Sequence, residues 1–229
     1  MSAHPAVLFD VDGTLVDSNY LHVYAWQRAF HEAGVPMETW RVHRSIGMDG
    51  TTLVHDLLEQ AGRDPDEDLV SGLKSAHSEY YQRNGSLLEP LPGARDLLRR
   101  VADLGLQVVL ATSAPPDELE VLQKVLDCDD VIAAITSADD VDTAKPEPDI
   151  VQVALDRVGV TAQQAVFVGD AVWDAEACAR VQVPSIAVLS GGFGRDELRI
   201  AGAGEVFENP RDLLDHLPDT AIGKLDGQG

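Results

Sequence analysis

The chain has 229 residues, 45% of them hydrophobic, enough to bury a core without disulfide support. Its 17 Lys+Arg against 39 Asp+Glu give a net charge of −22, which repels nucleic acid and anionic membranes and excludes both as partners. Cys128 and Cys178 match no metal or redox spacing, no signal core precedes Pro5, and no apolar run nears the ~18 residues of a spanning helix, so a soluble, cytoplasmic protein is expected.

The apolar run Ala6-Val7-Leu8-Phe9 has the pattern of a strand buried on both faces. It stops at Asp10-Val11-Asp12-Gly13-Thr14-Leu15, where Gly13-Thr14 forces a turn. Residues 18–90 then show only helical patterns, at 20–33, 51–60 and 66–83, punctuated by Gly34, Pro36, Gly62 and Pro65. This stretch reads as a helical insertion on two linkers, with Leu53, Leu57, Leu58 and Leu73 as its small core. Beyond Pro92-Gly93, strand patterns at 106–111, 131–135, 165–168 and 185–189 alternate with helical patterns at 93–104, 116–126, 148–158 and 173–181. The alternation predicts an α/β fold, a doubly wound parallel sheet formed by residues 1–17 and 91–229, with the helical insertion as a separate unit. Residues 219–229 are polar and Gly-rich and are expected to form a flexible tail.

Sheets of this kind take ligands at the carboxyl ends of their strands, so the residues after each strand are the candidates. Asp10 and Asp12 are two carboxylates at one such end, a costly arrangement unless a cation neutralises them. One of them can bind a hard cation and attack phosphorus, while the other protonates the leaving oxygen and then activates water. An Asp/Gly-rich turn without function is the plain alternative. Thr112-Ser113 offers hydroxyls and backbone N–H groups to a phosphoryl oxygen, or caps a helix. Lys145, followed by Pro146, is a site cation or a solvated lysine. Gly169 permits close backbone approach, Asp170 can complete a Mg²⁺ site, and Asp174 lies one helical turn on, able to support it. Each signal is weak alone. In order after successive parallel strands, they describe one site with a metal, a nucleophile, an acid/base and a cation.

This order of motifs resembles the haloacid dehalogenase-like superfamily over nearly the whole chain: Asp10-Val11-Asp12-Gly13-Thr14, Thr112, Lys145 and Gly169-Asp170-Ala171-Val172-Trp173-Asp174. The resemblance implies that Asp10 is the nucleophile and a Mg²⁺ ligand, and that Asp12 is the acid/base and ligates Mg²⁺ through its carbonyl. It implies that Thr112 and Lys145 hold the phosphoryl group, Asp170 ligates Mg²⁺, and Asp174 orders the metal's shell. The insertion at 18–90 matches the family's cap, which closes over the site and carries specificity. Asp12 sets the chain apart from the dehalogenases, which lack that residue. Gly50 stands near the position where the sugar phosphomutases carry Arg, and the cap's Lys74 lies in the wrong segment for a Schiff-base lysine. The segment from Gly191 to Val206 resembles the C-terminal part of phosphoglycolate phosphatase-like enzymes. A Mg²⁺-dependent phosphatase acting on a small phosphorylated metabolite, as a monomer or homodimer, is therefore expected. The alternatives are a phosphotransferase or sugar phosphomutase on the same scaffold, and a non-catalytic phosphate-binding module.

In the cap, Arg44 is expected either to meet the substrate's distal anionic group or to sit on an exposed basic helix end with Arg41 and His43. His22 is expected to be a structural histidine or, near the cap hinge, to touch substrate, and Trp26, Phe30 and Trp40 to be cap core, with a stacking platform as the alternative. Glu89, Asp139, Asp140 and Asp142 are assigned no role.

Overall fold

A strand whose every residue is apolar must be covered on both faces, and Ala6–Phe9 (β1) is fully buried at the centre of a parallel sheet. The structure, a computed structural model, describes residues 4–140 and 145–225. After β1 the chain leaves the sheet for four helices: α1 (Asn19–Glu32), α2 (Thr39–Ser45), α3 (Gly50–Gln60) and α4 (Glu67–Arg83). The linkers to and from this cap run side by side, joined by Asp17 N–H to Glu89 O and Leu91 N–H to Leu15 O, both 2.9 Å. The cap encloses its own apolar cluster, in which Leu53, Leu57, Leu58 and Leu73 pack with Trp26, Phe30 and Val42. Trp40 differs from expectation. It is 61% exposed, held beside the Arg41 guanidinium on the outer face of the short helix α2.

The chain then alternates α5 (Ala94–Asp103), β2 (Gln107–Ala111), α6 (Pro116–Leu126), β3 (Ile132–Thr136), α7 (Asp149–Val158), β4 (Ala165–Gly169), α8 (Val172–Arg180) and β5 (Ser185–Val188). It closes with α9 (Arg195–Ala201), β6 (Glu205–Phe207), α10 (Pro210–His216) and α11 (Ala221–Leu225). Among the described residues the sheet is all parallel, in the order β3-β2-β1-β4-β5-β6. Alternate residues of β1 serve opposite faces: Val7 and Phe9 join the cluster of Leu97, Leu122 and Leu213, while Ala6 and Leu8 join that of Val151, Leu155 and Cys178.

Three segments depart from the expected pattern. Elements α2 and β6 are too short to leave a clear periodicity in the sequence. The expected tail is a helix over Ala221–Leu225, because Ile222 and Leu225, three residues apart, share a buried face, and the Thr220 hydroxyl accepts the Ile222 N–H at 3.2 Å. Asp142 and residues 226–229 lie outside the described residues.

β1 sits where the winding of the sheet reverses, with β2 on one side and β4 on the other. Phe9 pairs with both Leu110 and Val168, so the residues just beyond these three strands emerge at one level. That level is the crevice at which open α/β sheets bind ligands.

Candidate active site

The turn after β1 is built for tightness. Gly13 has φ +69°, and a Cβ there would lie 2.3 Å from the Asn19 amide nitrogen and 2.5 Å from an Asp170 oxygen. The turn closes through Leu15 N–H and Val16 N–H to Val11 O, at 2.8 and 3.0 Å. It thus presses Thr14 and Asn19 against the end of β4, where Thr14 Oγ1 donates to Asp170 Oδ1 at 2.8 Å and Asn19 Nδ2 to Oδ2 at 2.9 Å.

Asp10, Asp170 and Asp174 bring carboxylate oxygens within 4.8 Å of one another, all three buried. Lys145, 1% exposed, reaches this group from the loop before α7, with Nζ 2.7 Å from both Asp10 Oδ1 and Asp174 Oδ1. Asp174 Oδ2 accepts the backbone N–H groups of Asp170 and Ala171 at 3.2 and 3.1 Å, so the first turn of α8 is fixed to the end of β4. One ammonium faces three carboxylates. Burial, reinforced by the neighbouring carboxylates, pushes the Asp10 and Asp170 carboxyls upward, while Asp10 and Asp174 outweigh burial at Lys145 and hold it protonated. An all-oxygen cluster with uncompensated negative charge fits a hard divalent cation such as Mg²⁺.

Above the cluster, between core and cap, lies a cavity of about 360 Å³. Asp10, Asp12, Thr112 and Ser113 line its floor. Thr112 is buried, its Oγ1 accepting the Ala114 N–H at 3.0 Å, which leaves the hydroxyl proton free for an acceptor in the cavity. The Asp12 carboxylate turns away from the acidic cluster: its Oδ1 accepts from Ser18 Oγ at 2.5 Å and lies 3.1 Å from His22 Nε2. Burial pushes the Asp12 carboxyl up, but His22 and Ser18 outweigh it and leave it below the ordinary carboxylate range. His22 titrates above its ordinary value, because Asp12 outweighs burial.

Of the residues singled out in the sequence, Asp10, Asp12, Thr112, Ser113, Lys145, Asp170 and Asp174 converge on this floor or directly beneath it. Arg44 does not join them. Its guanidinium lies 4.3 Å from the centre of the Phe193 ring and 2.8 Å from Glu197 Oε1, because the last turn of α2 faces the α9 side of the core. His43 goes the same way, with Nε2 3.0 Å from Gly191 O, and Arg41 pairs with Glu38 at 2.9 Å.

The cap wall holds residues that sequence reasoning passed over. Lys74 and His77 of α4 and His22 and Trp26 of α1 all line the cavity, together with Glu118 of α6. Lys74 was set aside by its position in the chain, yet its Nζ donates to Thr51 Oγ1 at 2.8 Å and its stem passes Gly50, whose missing side chain leaves room beside Trp26. The spacing 74, 77, 81 on one helix, facing 22 and 26 on another, was the available signal.

Comparison with known proteins bears on this site. Residues 4–182 match the family model of the haloacid dehalogenase-like hydrolases. A phosphoglycolate phosphatase of Yersinia pestis is 31% identical over 81% of this chain and 81% of its own length. A phosphorylated carbohydrates phosphatase of Thermotoga maritima is 27% identical over 93% of this chain and 98% of its own. The crystal structure of a hydrolase from Pseudomonas syringae superposes with a TM-score of 0.90 at 35% identity, covering 95% of this chain and 100% of that one.

Proposed function

This chain belongs to the haloacid dehalogenase-like hydrolases, and from that premise we propose that it is a Mg²⁺-dependent phosphatase that transfers the phosphoryl group of a small phosphate monoester to Asp10 and then to water. The observation that carries this reading is the convergence of three buried carboxylates and Lys145 beneath a cavity whose floor also presents Asp12 and Thr112. The named activities of the curated relatives, on phosphoglycolate and on phosphorylated carbohydrates, support the same reaction class.

Asp10, Asp170 and the Asp12 carbonyl would hold the cation, with Asp174 ordering its surroundings. The bound ion would cancel carboxylate charge and draw electron density from the phosphoryl oxygens. Lys145 and the Thr112 hydroxyl hold non-bridging oxygens, and Ser113 lies beside them. An Asp10 oxygen attacks phosphorus, the bond from phosphorus to the ester oxygen breaks, and that oxygen takes a proton from Asp12. In the second half Asp12 takes a proton from water, which attacks the same phosphorus and frees the Asp10 carboxylate. Trp26, Lys74 and Ser78 of the cap meet the organic part of the substrate.

The test is Asp12→Asn with an aryl phosphate, whose leaving group needs little protonation. Rapid quench should show a burst of phenol roughly stoichiometric with enzyme, and mass spectrometry a phosphoryl group on Asp10. Absence of both, in a folded protein that still binds Mg²⁺, removes the reading. A panel of phosphorylated metabolites then identifies the substrate, and product analysis with candidate acceptors separates hydrolysis from transfer.

A further inference from the structure

Behind Asp12 a single file of buried polar groups crosses twice between core and cap. Asp12 Oδ1 is 3.1 Å from His22 Nε2, and His22 Nδ1 is 3.1 Å from His77 Nε2. His77 Nδ1 lies 3.5 Å from Glu118 Oε1, a contact within ion-pair range that a small shift of either side chain closes to a hydrogen bond. Asp12 belongs to the turn after β1, His22 to α1, His77 to α4, and Glu118 to the first turn of α6. The rings have little freedom: His22 stacks on Tyr81 with centroids 4.2 Å apart, and His77 on Trp26 at 4.0 Å.

Resting on the reading of Asp12 as acid/base, we propose that Glu118 and His77 are positioning residues, which fix the ring and tautomer of His22 and thereby aim the Asp12 carboxylate at the reacting oxygens. Each imidazole nitrogen in the file has one neighbour, so the direction of every hydrogen bond is set by the one before it. If Glu118 accepts from His77 Nδ1–H, then His77 Nε2 accepts from His22 Nδ1–H. If a protonated Glu118 donates to His77 Nδ1, then His77 Nε2–H donates to His22 Nδ1. In the first arrangement Nε2–H points at Asp12 only when His22 is an imidazolium; in the second the neutral ring does so. Remove Glu118 and the file is held from the Asp12 end alone, so the His77 and His22 rings lose their second anchor and Asp12 a firmly placed partner.

Glu118 has no simpler task. It is 3% exposed with no Lys or Arg ion pair among the described residues, and burial pushes its carboxyl up to about 7. An apolar side chain of the same volume would suit the fold at least as well, because a buried carboxylate is costly to desolvate. Its position is explained by what lies at the other end of the file.

The experiment measures first-turnover phenol release from a series of substituted phenyl phosphates, which keeps substrate shape nearly constant while leaving-group basicity varies. With Glu118→Ala, phenyl phosphate should slow about ten-fold while 4-nitrophenyl phosphate stays within about two-fold, since only the poorer leaving group needs the proton. KM should hardly move. Glu118→Gln should restore most of the rate, because its amide oxygen still accepts from His77 Nδ1–H. His77→Phe, which keeps a ring against Trp26 but carries no nitrogen, should reproduce the Glu118→Ala slope and guards against a misfolded alanine variant. Equal factors for all leaving groups in Glu118→Ala and His77→Phe overturn the positioning role, provided Asp12→Asn does discriminate between them. If Asp12→Asn shows no discrimination either, the acid/base reading falls, and this proposal with it.

Discussion

On the floor of the cavity the charged side chains are answered by opposite charge or by hydrogen-bond donors: Lys145 by Asp10 and Asp174, Asp174 by two backbone N–H groups, Asp170 by the side chains of Thr14 and Asn19. On the cap wall Lys74 is exposed and held by a single hydroxyl, that of Thr51. The floor is preorganised by burial, so its groups meet a phosphoryl group without rearranging, which is where electrostatic stabilisation of a transition state is strongest. Around Lys74 the wall is solvated and adjustable, suited to meeting organic groups that differ between substrates. Substitutions on the floor should therefore act on kcat, and those of exposed wall residues such as Lys74 on KM.

The largest effect is expected for Asp10→Asn, nearly isosteric but neither nucleophilic nor anionic. Turnover should fall by several orders of magnitude with the fold intact, as losing a covalent nucleophile commonly does. Circular dichroism and a phosphatase assay check it, and turnover near wild type would remove the central claim. Chelation should act almost as strongly, with Mg²⁺ or Mn²⁺ restoring activity and Ca²⁺ binding without supporting it, because its looser coordination misplaces the nucleophile.

Lys145→Met comes next and sharpens the comparison, because it strips the floor of its resident cation. The rate should fall by about 10²–10³, and stability by about 3 kcal/mol, since Asp10 and Asp174 are left buried and unpaired. Mg²⁺ should recover part of the lost melting temperature but little of the rate. A variant as stable as wild type without metal would show that the floor is not electrostatically strained.

Lys74→Met tests the wall. An anionic substrate should show a KM increase of about ten-fold with kcat within about two-fold, the signature of uniform binding. A kcat loss as large as that of Lys145→Met would erase the distinction between floor and wall. Smallest is Arg44→Ala. Its pairing with Glu197 is partly exposed, and exposed pairs contribute about 0–1 kcal/mol, so both kinetic constants should stay within about two-fold.

The floor was legible because its residues follow buried strands. A parallel strand needs a continuous apolar run, which the sequence displays openly, and the topology delivers whatever follows that run to one edge. Asp10, Thr112 and Asp170 are found by position alone, Asp174 follows one helical turn after Asp170, and Lys145 is marked only by the motif order. The wall was not legible by that rule. Helical periodicity identifies the apolar stripe of α1 and α4 but is silent on which polar residues beside the stripe look into the cavity. By that rule His22 reads as structural, Lys74 lies in the wrong segment, and nothing marks His77 or Glu118.

The sequence by itself determined the alternation of strands and helices, the helical insertion, and the order in which acidic, hydroxyl and basic residues arrive at the strand ends, because burial and chain direction act locally. Only the tertiary structure decided that Arg44 faces Glu197 instead of the cavity, that Ile222 and Leu225 pin the C-terminal segment to the core, and that Glu118 reaches Asp12 through two histidines of the cap. Those relations join residues as far as 106 positions apart, Asp12 and Glu118, and 153 apart, Arg44 and Glu197, or depend on how a short helix is rotated about its axis. Such choices are made by packing one unit against another, and no local pattern records them.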